Sequence, residues 1–344
     1  MIDFRYHVVS IIAVFLALTV GLVIGASVIN QDSVAVLNRE LSDSNNAKLS
    51  AQQQLRTLGN NVTLLEKYID ETAPTLTADQ LVNISVAIVQ LAGANSGAVT
   101  STDQLITKAA NAIVSIDVTV NASFTDPNNT SVLAALVAQC TPTGTSVNAP
   151  GAAGAMQLLD AAVTASTEAT GQPSVPPTAS ASATPSGSST GCGAKPANMT
   201  PSWAQTTLDA YQSQGFITVN SGPLSTSGKP AVAFIAAPDE ANSAAQNTDY
   251  LALAEGLHAD GVGAVVGGTA TSAEAGGLIA AVLADSNAAK SVYTVDDTDV
   301  TMGQACVVFV MAQAGNLAAN AGHYGLVGSN DGLLPGLSSS GAPG

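Results

Sequence analysis

Three aspartates that follow an apolar run near the end of the chain are the clearest candidates for site chemistry. Asp296, Asp297 and Asp299 come directly after SVYTV, a run typical of a buried strand. Ligands usually bind at the carboxyl ends of strands in open α/β sheets, and clustered carboxylates suit hard cations such as Mg²⁺ or Ca²⁺. The favoured alternative is helix capping, with Asp297 or Thr298 as the N-cap and the acids complementing the helix dipole.

A histidine in the motif GHYG at 322–325 is the other weak candidate for a metal ligand or base. His323 has no acid or nucleophile beside it in the sequence, and His7 and His258 are far from it along the chain. The patterns GxSxG, HExxH and the P-loop are absent from the sequence. We therefore assign no catalytic residue and predict a protein that is not an enzyme. An enzyme that uses His323 with Asp296 and Asp297 is the minor alternative.

Sulfur-containing side chains give no metal motif. Soft metals such as copper favour clustered Cys, Met and His ligands, whereas the methionines of this chain are scattered. Met302 and Met311 are interpreted as core residues. Cys306 lies in the apolar run QACVVFVM and is interpreted as a small buried hydrophobic residue. No cofactor is evident from these residues.

The two remaining cysteines leave a choice open. A disulfide between Cys140 and Cys192 would close a loop of about fifty residues and could add roughly 4 kcal/mol of stability in the chain-entropy picture. It requires export of this part of the chain to an oxidising compartment. Three free thiols are the other option.

A glycine-rich stretch, GVGAVVGG at 261–268, superficially resembles a dinucleotide-binding loop. Val266 stands where the third glycine of GxGxxG would be. The glycines also precede the strand or lie within it, whereas phosphate binding needs them between a strand and a helix. The stretch is interpreted as a tight turn into a buried strand.

Short β-branched runs alternate with helical stretches beyond Pro74. Alternation of this kind, with nearly continuous apolar strands, is typical of a parallel sheet covered on both faces. The sequence therefore predicts a doubly wound, mostly parallel α/β domain at 74–336. The predicted strands are VAIVQL at 86–91, IDVTV at 116–120, FITVN at 216–220, VAFIAA at 232–237, GAVVGG at 263–268 and SVYTV at 291–295. The predicted helices are TDQLITKAANAI with Thr102 and Asp103 as caps, NTDYLALAEGLHAD, SAEAGGLIAAVLAD and TDVTMGQACVVFVMAQ.

Two segments are predicted to be disordered. Residues 169–201 are rich in Pro, Ser, Thr, Gly and Ala without any period. Such a segment cannot bury enough apolar surface to offset its ordering entropy, so it is interpreted as an insertion between two halves of the α/β domain. The tail at 337–344 has a similar composition.

The front of the chain carries a long apolar span. Val8 to Ile29 are apolar or small, enough to cross the ~30 Å hydrocarbon core as a helix. Residues 8–30 are therefore predicted to be a single-pass signal anchor, preceded by a short tail at 1–7. That arrangement places the bulk of the chain outside the cytoplasm, at the cell membrane. A secretory signal that is cleaved is the alternative, although its apolar region is usually shorter.

A heptad pattern follows at 31–73. With Val34 at position a, nine of the twelve a and d positions are apolar. A repeat of nearly six heptads argues for a coiled coil about 60 Å long, here a parallel dimer or higher oligomer. Gly59-Asn60-Asn61 invites a break, and Pro74 is predicted to end the helix. The predicted dimerisation residues are Val34, Leu37, Leu41, Leu55, Leu58, Val62, Leu65 and Ile69. A single amphipathic helix folded onto its own domain is the alternative.

The charge balance excludes one class of partner. The chain has 344 residues, a net charge of −16 and nine Lys and Arg in total. Binding to nucleic acid needs clustered basic residues that neutralise phosphates. We therefore expect no nucleic-acid partner, and the acidity is interpreted as keeping the exported part soluble.

Two regions together resemble a known family. The opening RYHVVSIIAVFLALTVGLVIGASVI is similar to the membrane segment of the actinobacterial copper transport protein B family, MctB. The ending SVYTVDDTDVTMGQACVVFVMAQ and GHYGLVGSNDGLLPG resembles its C-terminal stretch. The resemblance covers roughly 1–75 and 230–336. The residues that match the pattern of the ending are Asp296, Gly303, Gln304, Gly322, His323, Tyr324 and Gly325.

The resemblance implies an actinobacterial cell-envelope protein with a role in copper export or homeostasis. Copper is implied by the resemblance only, and no residue is carried over as a copper ligand. The alternative is a non-catalytic dimeric scaffold that binds an envelope or cell-separation partner. The anchor and the heptads are the features that favour this alternative.

Overall fold

The computed structural model describes residues 4–28, 31–143, 147, 149, 151–165, 192, 198–222, 228–317, 320–327 and 331–336. Of the predicted insertion, Cys192 and residues 198–201 are described and the rest lies outside the described residues, as does the predicted tail at 337–344. The contacts divide the chain into two units, Met1–Lys67 and Tyr68–Gly344.

The first unit begins with an apolar helix, α1, at Phe4–Val28. Within it, Arg5–Gly25 has the length and composition needed to cross a membrane, and it is the only such segment among the described residues. Its large apolar side chains are exposed along its length, as expected of a helix whose solvent is lipid. The predicted N-terminal apolar helix is confirmed.

The second helix is continuous through both residues expected to interrupt it. Helix α2 runs over Gln31–Leu76, so the predicted break at Gly59-Asn60-Asn61 and the predicted end at Pro74 are both wrong. Pro74 lies in the last turn, where its missing N–H costs one hydrogen bond near the end of the helix. Beyond it Thr77 donates from both its amide and its hydroxyl to the carbonyl oxygen of Ala73, at 2.9 and 2.8 Å, and these bonds close the turn.

The second unit is built on a mostly parallel sheet, as predicted. The described residues form one seven-stranded sheet in the order β3-β2-β1-β4-β5-β6-β7. All neighbours are parallel except β2 and β3, which are antiparallel. The strands are β1 Ser85–Gln90, β2 Ile113–Val120, β3 Ile217–Ser221, β4 Val232–Ala236, β5 Gly263–Gly267, β6 Val292–Val295 and β7 His323–Tyr324.

Helices cover both faces of this sheet. Their bounds are α3 Ser96–Gln104, continued by a π-helical turn at Leu105–Ala109, α4 Thr130–Cys140, α5 Gly151–Ala165, α6 Pro201–Ser213, α7 Ala244–Ala259, α8 Ala270–Ala273, α9 Leu278–Ala284, α10 Ala288–Ser291 and α11 Thr301–Ala314. A hydrophobic core lies on each face of the sheet, and alternate residues of β4 belong to one core or the other. Ala233 and Ile235 pack with α4 to α7 and α9, while Val232 and Phe234 pack with α11 and the π-helical turn.

Two predicted helices differ from the structure. Helix α3 begins at Ser96, six residues before the first of its expected caps, Thr102 and Asp103. Its N-cap is Asn95, whose side-chain oxygen accepts hydrogen bonds from the amides of Gly97 and Ala98, both at 3.1 Å. An early Asn with two amides in reach satisfies the first turn, which leaves Thr102 buried inside the helix. The predicted helix SAEAGGLIAAVLAD is also divided, because Gly276 has a φ of 91° between α8 and α9.

A disulfide joins helix α4 to the segment before α6. Cys140 and Cys192 are bonded, with their Cα atoms 5.1 Å apart, and Cys306 is a free, buried cysteine. Beside the disulfide, the indole N–H of Trp203 donates to the carbonyl oxygen of Cys140 at 2.7 Å. The disulfide and the indole hydrogen bond together hold α4 and α6 on one face of the sheet.

Candidate functional site

The first of the three predicted site aspartates is buried and holds a loop. Asp296 is 1% exposed at the carboxyl end of β6. Its carboxylate accepts hydrogen bonds from the backbone amides of Leu326 at 2.6 Å and Val327 at 3.1 Å. Hydrogen bonds from backbone amides to an ionised carboxylate are among the stronger ones in proteins. Asp296 thus fastens the loop after β7 to the edge of the sheet.

The second aspartate shares that role. Asp297 has a φ of 63°, a left-handed conformation that turns its side chain back toward its neighbour. Its Oδ2 accepts from the amide of Leu326 at 2.8 Å, so both carboxylates converge on one N–H. Burial, together with the hydrogen bond and the negative charge of Asp296, raises the pKa of Asp297 to about 7. The two carboxyl groups are thus hydrogen-bonded to each other as well as to the loop.

Predicted capping by this cluster is wrong. The N-cap of α11 is Val300, and no side chain makes the capping hydrogen bond. Asp297 and Thr298 lie in the turn before it, where the amide of Thr298 donates to the carbonyl oxygen of Gly268 at 2.9 Å. Asp299 is exposed and does not belong to the pair that Asp296 and Asp297 form. The acids serve the loop 325–327 instead of the helix.

His323 lies one strand away and its ring is used inside the fold. Its Nε2 donates to the carbonyl oxygen of Ala289 at 2.9 Å, because a carbonyl can only accept. Its Nδ1 is 3.0 Å from the hydroxyl oxygen of Thr294 on β6. The backbone amide of His323 also donates to the carboxylate of Asp331 at 2.8 Å. Both ring nitrogens are therefore engaged, and the ring joins β6, β7 and α10.

The glycine that ends the GHYG motif is explained by this arrangement. Gly325 has a φ of 134°, and a side-chain carbon there would occupy the position of the Asp296 carboxylate. Only glycine lets the backbone approach a carboxylate this closely in that conformation. The motif GHYG and the Asp-Asp pair that precedes α11 are thus two halves of one structural device, although they are about 25 residues apart in the sequence.

The candidate metal ligands do not assemble into a ligand set. Within the described ranges, no group of three or more His, Cys, Asp or Glu side chains is placed to hold a metal ion. Asp296 and Asp297 face the 325–327 backbone, Asp299 faces solvent, and His323 is saturated by Thr294 and Ala289.

The crevice where the strand order reverses is closed by hydrogen bonds. Strands β1 and β4 are neighbours from which the chain proceeds in opposite directions, the place where open α/β sheets usually bind ligands. Asp239 there accepts from the Asn95 amide at 3.3 Å and from the hydroxyl of Thr269. The remaining cavity has a volume of about 10 Å³, too small for a nucleotide. Consistent with this, residues 263–267 form β5, the buried strand inferred from the glycine-rich stretch.

A buried acid that the sequence analysis did not single out lies on helix α5. Asp160 is 4% exposed and forms a side-chain hydrogen bond with Asp260. It fits against α7 at Gly256, where any side-chain carbon would overlap its carboxyl group. The signal was available in the sequence, since Asp160 is the one charged residue in GAAGAMQLLDAAVTA.

The surroundings of this pair are acidic. Asp160 and Asp260 open on a hollow of about 590 Å³ that Glu255 and Asp285 also line. Burial raises the pKa of Asp160 well above its ordinary value, and the charge and hydrogen bond of Asp260 raise it further. Burial also raises the pKa of Asp260, while Lys229 and the hydrogen bond from Asp160 oppose that change. Asp160 is thus the proton donor of the pair and Asp260 the acceptor.

Replacement of this acid is expected to flatten the pH dependence of stability. A folded-state pKa above the unfolded value of about 3.9 gives a stabilising contribution that is complete at lower pH and is lost as pH rises through the folded-state pKa. Asp160→Asn cannot ionise, so its free energy of unfolding should improve relative to wild type as pH rises, by at most about 1.4 kcal/mol per pH unit. Urea unfolding of the full chain in detergent, followed by fluorescence of the single tryptophan, Trp203, measures this.

The exposed Glu240 supplies the control for this prediction. Glu240→Gln removes one carboxylate from the same unit and should leave the pH profile parallel to wild type. An Asp160→Asn profile that also runs parallel to wild type would contradict the proton-sharing pair.

Comparison with known proteins covers nearly the whole chain. Residues 1–335 match the family described as "Copper transport outer membrane protein, MctB". The chain is 24% identical over 327 residues to proteins named "Copper transporter MctB" from Mycobacterium bovis (strain ATCC BAA-935 / AF2122/97) and Mycobacterium tuberculosis (strain ATCC 25618 / H37Rv). Each match spans 94% of this chain and 96% of the relative.

These matches include the middle of the chain, which lies between the two regions that carry the resemblance. They extend through the apolar helix α1, the long helix α2 and the sheet with its Asp-Asp pair and GHYG loop. The resemblance inferred from the two ends of the sequence is confirmed, and the chain belongs to the MctB family.

Proposed function

We propose that this protein is a membrane-anchored component of the cell envelope that takes part in copper export or homeostasis. The observation that carries the proposal is the family match over residues 1–335, together with full-length relatives that are named copper transporters. The apolar helix at Arg5–Gly25 supplies the means of membrane attachment. We infer a non-catalytic role, since the family is not a known enzyme class.

The proposed topology is a single pass with the bulk of the chain outside the cytoplasm. A basic residue, Arg5, lies on the N-terminal side of the apolar stretch 8–30, and a basic flank there favours the orientation with the N-terminus inside. The disulfide between Cys140 and Cys192 supports the same side, because such bonds persist in oxidising compartments. Residues 8–30 act as the anchor and 74–336 as the doubly wound extracytoplasmic domain, interrupted by the insertion at 169–201.

We further propose that residues 31–73 form a parallel coiled coil in a homodimer or higher homo-oligomer. Supporting this, α2 is one continuous helix, and the described side chains at its a and d positions are exposed in the single chain as far as Leu65, whereas Ile69 and Thr72 are half-buried. Their exposed fractions are 66% for Leu37, 61% for Leu41, 68% for Leu55, 61% for Leu58 and 60% for Leu65. A helix with such a stripe is stabilised by covering it with a second copy.

A scaffold that binds an envelope or cell-separation partner is the second candidate function. The specific observation in its favour is that three of the four candidate site residues serve the fold, while the fourth, Asp299, is exposed. The carboxyl groups of Asp296 and Asp297 form hydrogen bonds with backbone amides and with each other. The ring of His323 forms hydrogen bonds with Thr294 and with a backbone carbonyl. In this alternative the stalk presents the α/β domain to its partner, and copper is not its cargo.

Growth on copper tests the proposed function. A strain that lacks the gene should stop growing at a lower copper concentration than its parent, and the intact gene should restore the parental limit. Equal growth of deletion and parent over the whole copper range would overturn the copper role. Crosslinking in intact cells would then decide for the scaffold, if it captures a stable partner that depends on an intact stalk.

A further inference from the structure

A small cavity lies under the loop that Asp296 holds. Its volume is about 20 Å³, enough for one water-sized occupant. Met302 and Cys306 of α11 line it, and so do Asp296 and Asp297. The remaining lining is largely apolar, from Val295, Val300, Gly303, Gly325, Leu326 and Leu333.

The two sulfur-containing side chains lie on one face of α11 and line the same cavity. Met302 and Cys306 are four residues apart in α11, a separation that stacks side chains one above the other. Thiolate and thioether sulfurs are the ligands that select Cu(I). Cys306 is 2% exposed, and it is the free thiol of the chain because Cys140 and Cys192 are bonded to each other.

The negative surroundings favour a cation beside this thiol. Asp296 and Asp297 line the same cavity as the Cys306 thiol. A coordinating thiol is deprotonated outright by its metal, and the nearby carboxylates would then face a positive charge. The small volume excludes a hydration shell, which disfavours hydrated Mg²⁺ and Ca²⁺.

We propose that Met302 and Cys306 form a Cu(I)-binding site, with Asp296 beside it as the compensating charge. The inference rests on the proposed function for the choice of metal and deepens it by naming the ligands. Copper enters as Cu(I), the Cys306 proton leaves to solvent as the copper–sulfur bond forms, and no electron is transferred. The loop held by Asp296 covers the bound ion.

Competition for Cu(I) with bicinchoninate tests this on the full chain in detergent, with ascorbate keeping copper reduced. Wild type should withdraw one equivalent of Cu(I) from the chelator. Loss of an outer-shell partner of a metal costs roughly 10–100-fold in affinity. Cys306→Ala removes a direct ligand, so its cost should reach the upper end of that range, about 100-fold. Met302→Leu keeps the volume of the side chain and should weaken binding at least about tenfold.

Two other methionines supply the controls. Met311 is buried in the same helix but does not line the cavity. Met199 is 37% exposed and lies just before helix α6. Met311→Leu and Met199→Leu should bind Cu(I) as wild type does. Trp203 fluorescence and far-UV circular dichroism establish that each variant is folded, and Met302→Leu decides the matter if Cys306→Ala does not fold.

The site and the export role can fail separately. Binding by folded Met302→Leu and Cys306→Ala equal to wild type, or no Cu(I) binding by wild type, would overturn the site. A copper phenotype of the deletion strain together with either result would leave the export role standing. Binding that depends on Cys306 and Met302, in a protein whose deletion has no copper phenotype, would support the site and overturn the export role.

Discussion

The chain with Leu55→Asp and Leu58→Asp is expected to run as a monomer in detergent, at half or less of the wild-type protein mass. Both leucines occupy heptad core positions and are more than 60% exposed in the single chain, at 68% and 61%. Burying one leucine is worth about 1.5–3 kcal/mol, so covering four in a dimer contributes substantially to its association. Aspartate at these positions removes that gain and places like charges at the core. Light scattering coupled to size-exclusion chromatography measures the mass.

The same helix offers a matched control. Leu49 and Leu64 are exposed to similar extents, 56% and 68%, but occupy heptad positions b and c. Leu49→Asp with Leu64→Asp adds the same two charges to the same helix and should keep the wild-type mass. A core variant that keeps the wild-type mass, or a wild-type chain that is already monomeric, would contradict the coiled coil.

Asp296→Ala is expected to release the loop after β7 and to destabilise the second unit. The substitution removes the acceptor of the Val327 amide, at 3.1 Å, and the closer of the two acceptors of the Leu326 amide, at 2.6 Å, and it leaves that amide Asp297 alone. Asp296 is 1% exposed, so water does not replace it readily. Hydrogen bonds to charged groups contribute about 1.5–3 kcal/mol each, so a loss of about 3 kcal/mol is expected in the free energy of unfolding. Hydrogen exchange of the peptide that contains residues 325–327 should become fast.

Asp299 provides the comparison for this prediction. It belongs to the same acidic cluster but is exposed, so Asp299→Ala should leave both the unfolding free energy and the exchange of the 325–327 amides within error of wild type. Protection of those amides that survives in Asp296→Ala would show that the carboxylate does not hold the loop.

The buried strands were predictable because each is a continuous run of apolar residues. Strand β4 is observed at Val232–Ala236 and was predicted at 232–237, and β5 and β6 also agree to within one residue. Runs buried on both faces need no alternation to be recognised. The two-residue strand β7 has no such pattern. Its place follows from hydrogen bonds that the amides of Thr294 and Asp296 donate to the carbonyl oxygens of Gly322 and Tyr324, and no local rule shows these bonds.

Helix ends were harder, since packing overrides local preference. Pro74 and Gly59 are poor helix residues, yet α2 continues past both. Asn95 caps α3 ahead of a stretch, Ser96-Gly97-Ala98, that carries little helical pattern. The low helix propensity of a few residues is outweighed by the hydrogen bonds and contacts that the whole structure supplies.

The candidate site was only half visible in the sequence. The cluster of Asp296 and Asp297 was visible in the sequence as a candidate metal or capping site, but in the structure its partner is a backbone segment about 30 residues later. The spacing of Met302 and Cys306 was also present in the sequence. What could not be deduced is that Asp296 lies beside that thiol, because the contact depends on how the turn after β6 packs against α11.

Total cell copper tests the central claim most directly. A strain that lacks the gene, its parent and the strain with the gene restored are grown with sub-toxic added copper, and copper per cell is measured by mass spectrometry. A role in export predicts accumulation in the deletion strain and a return to the parental content on restoration. Equal copper in all three strains would contradict that role.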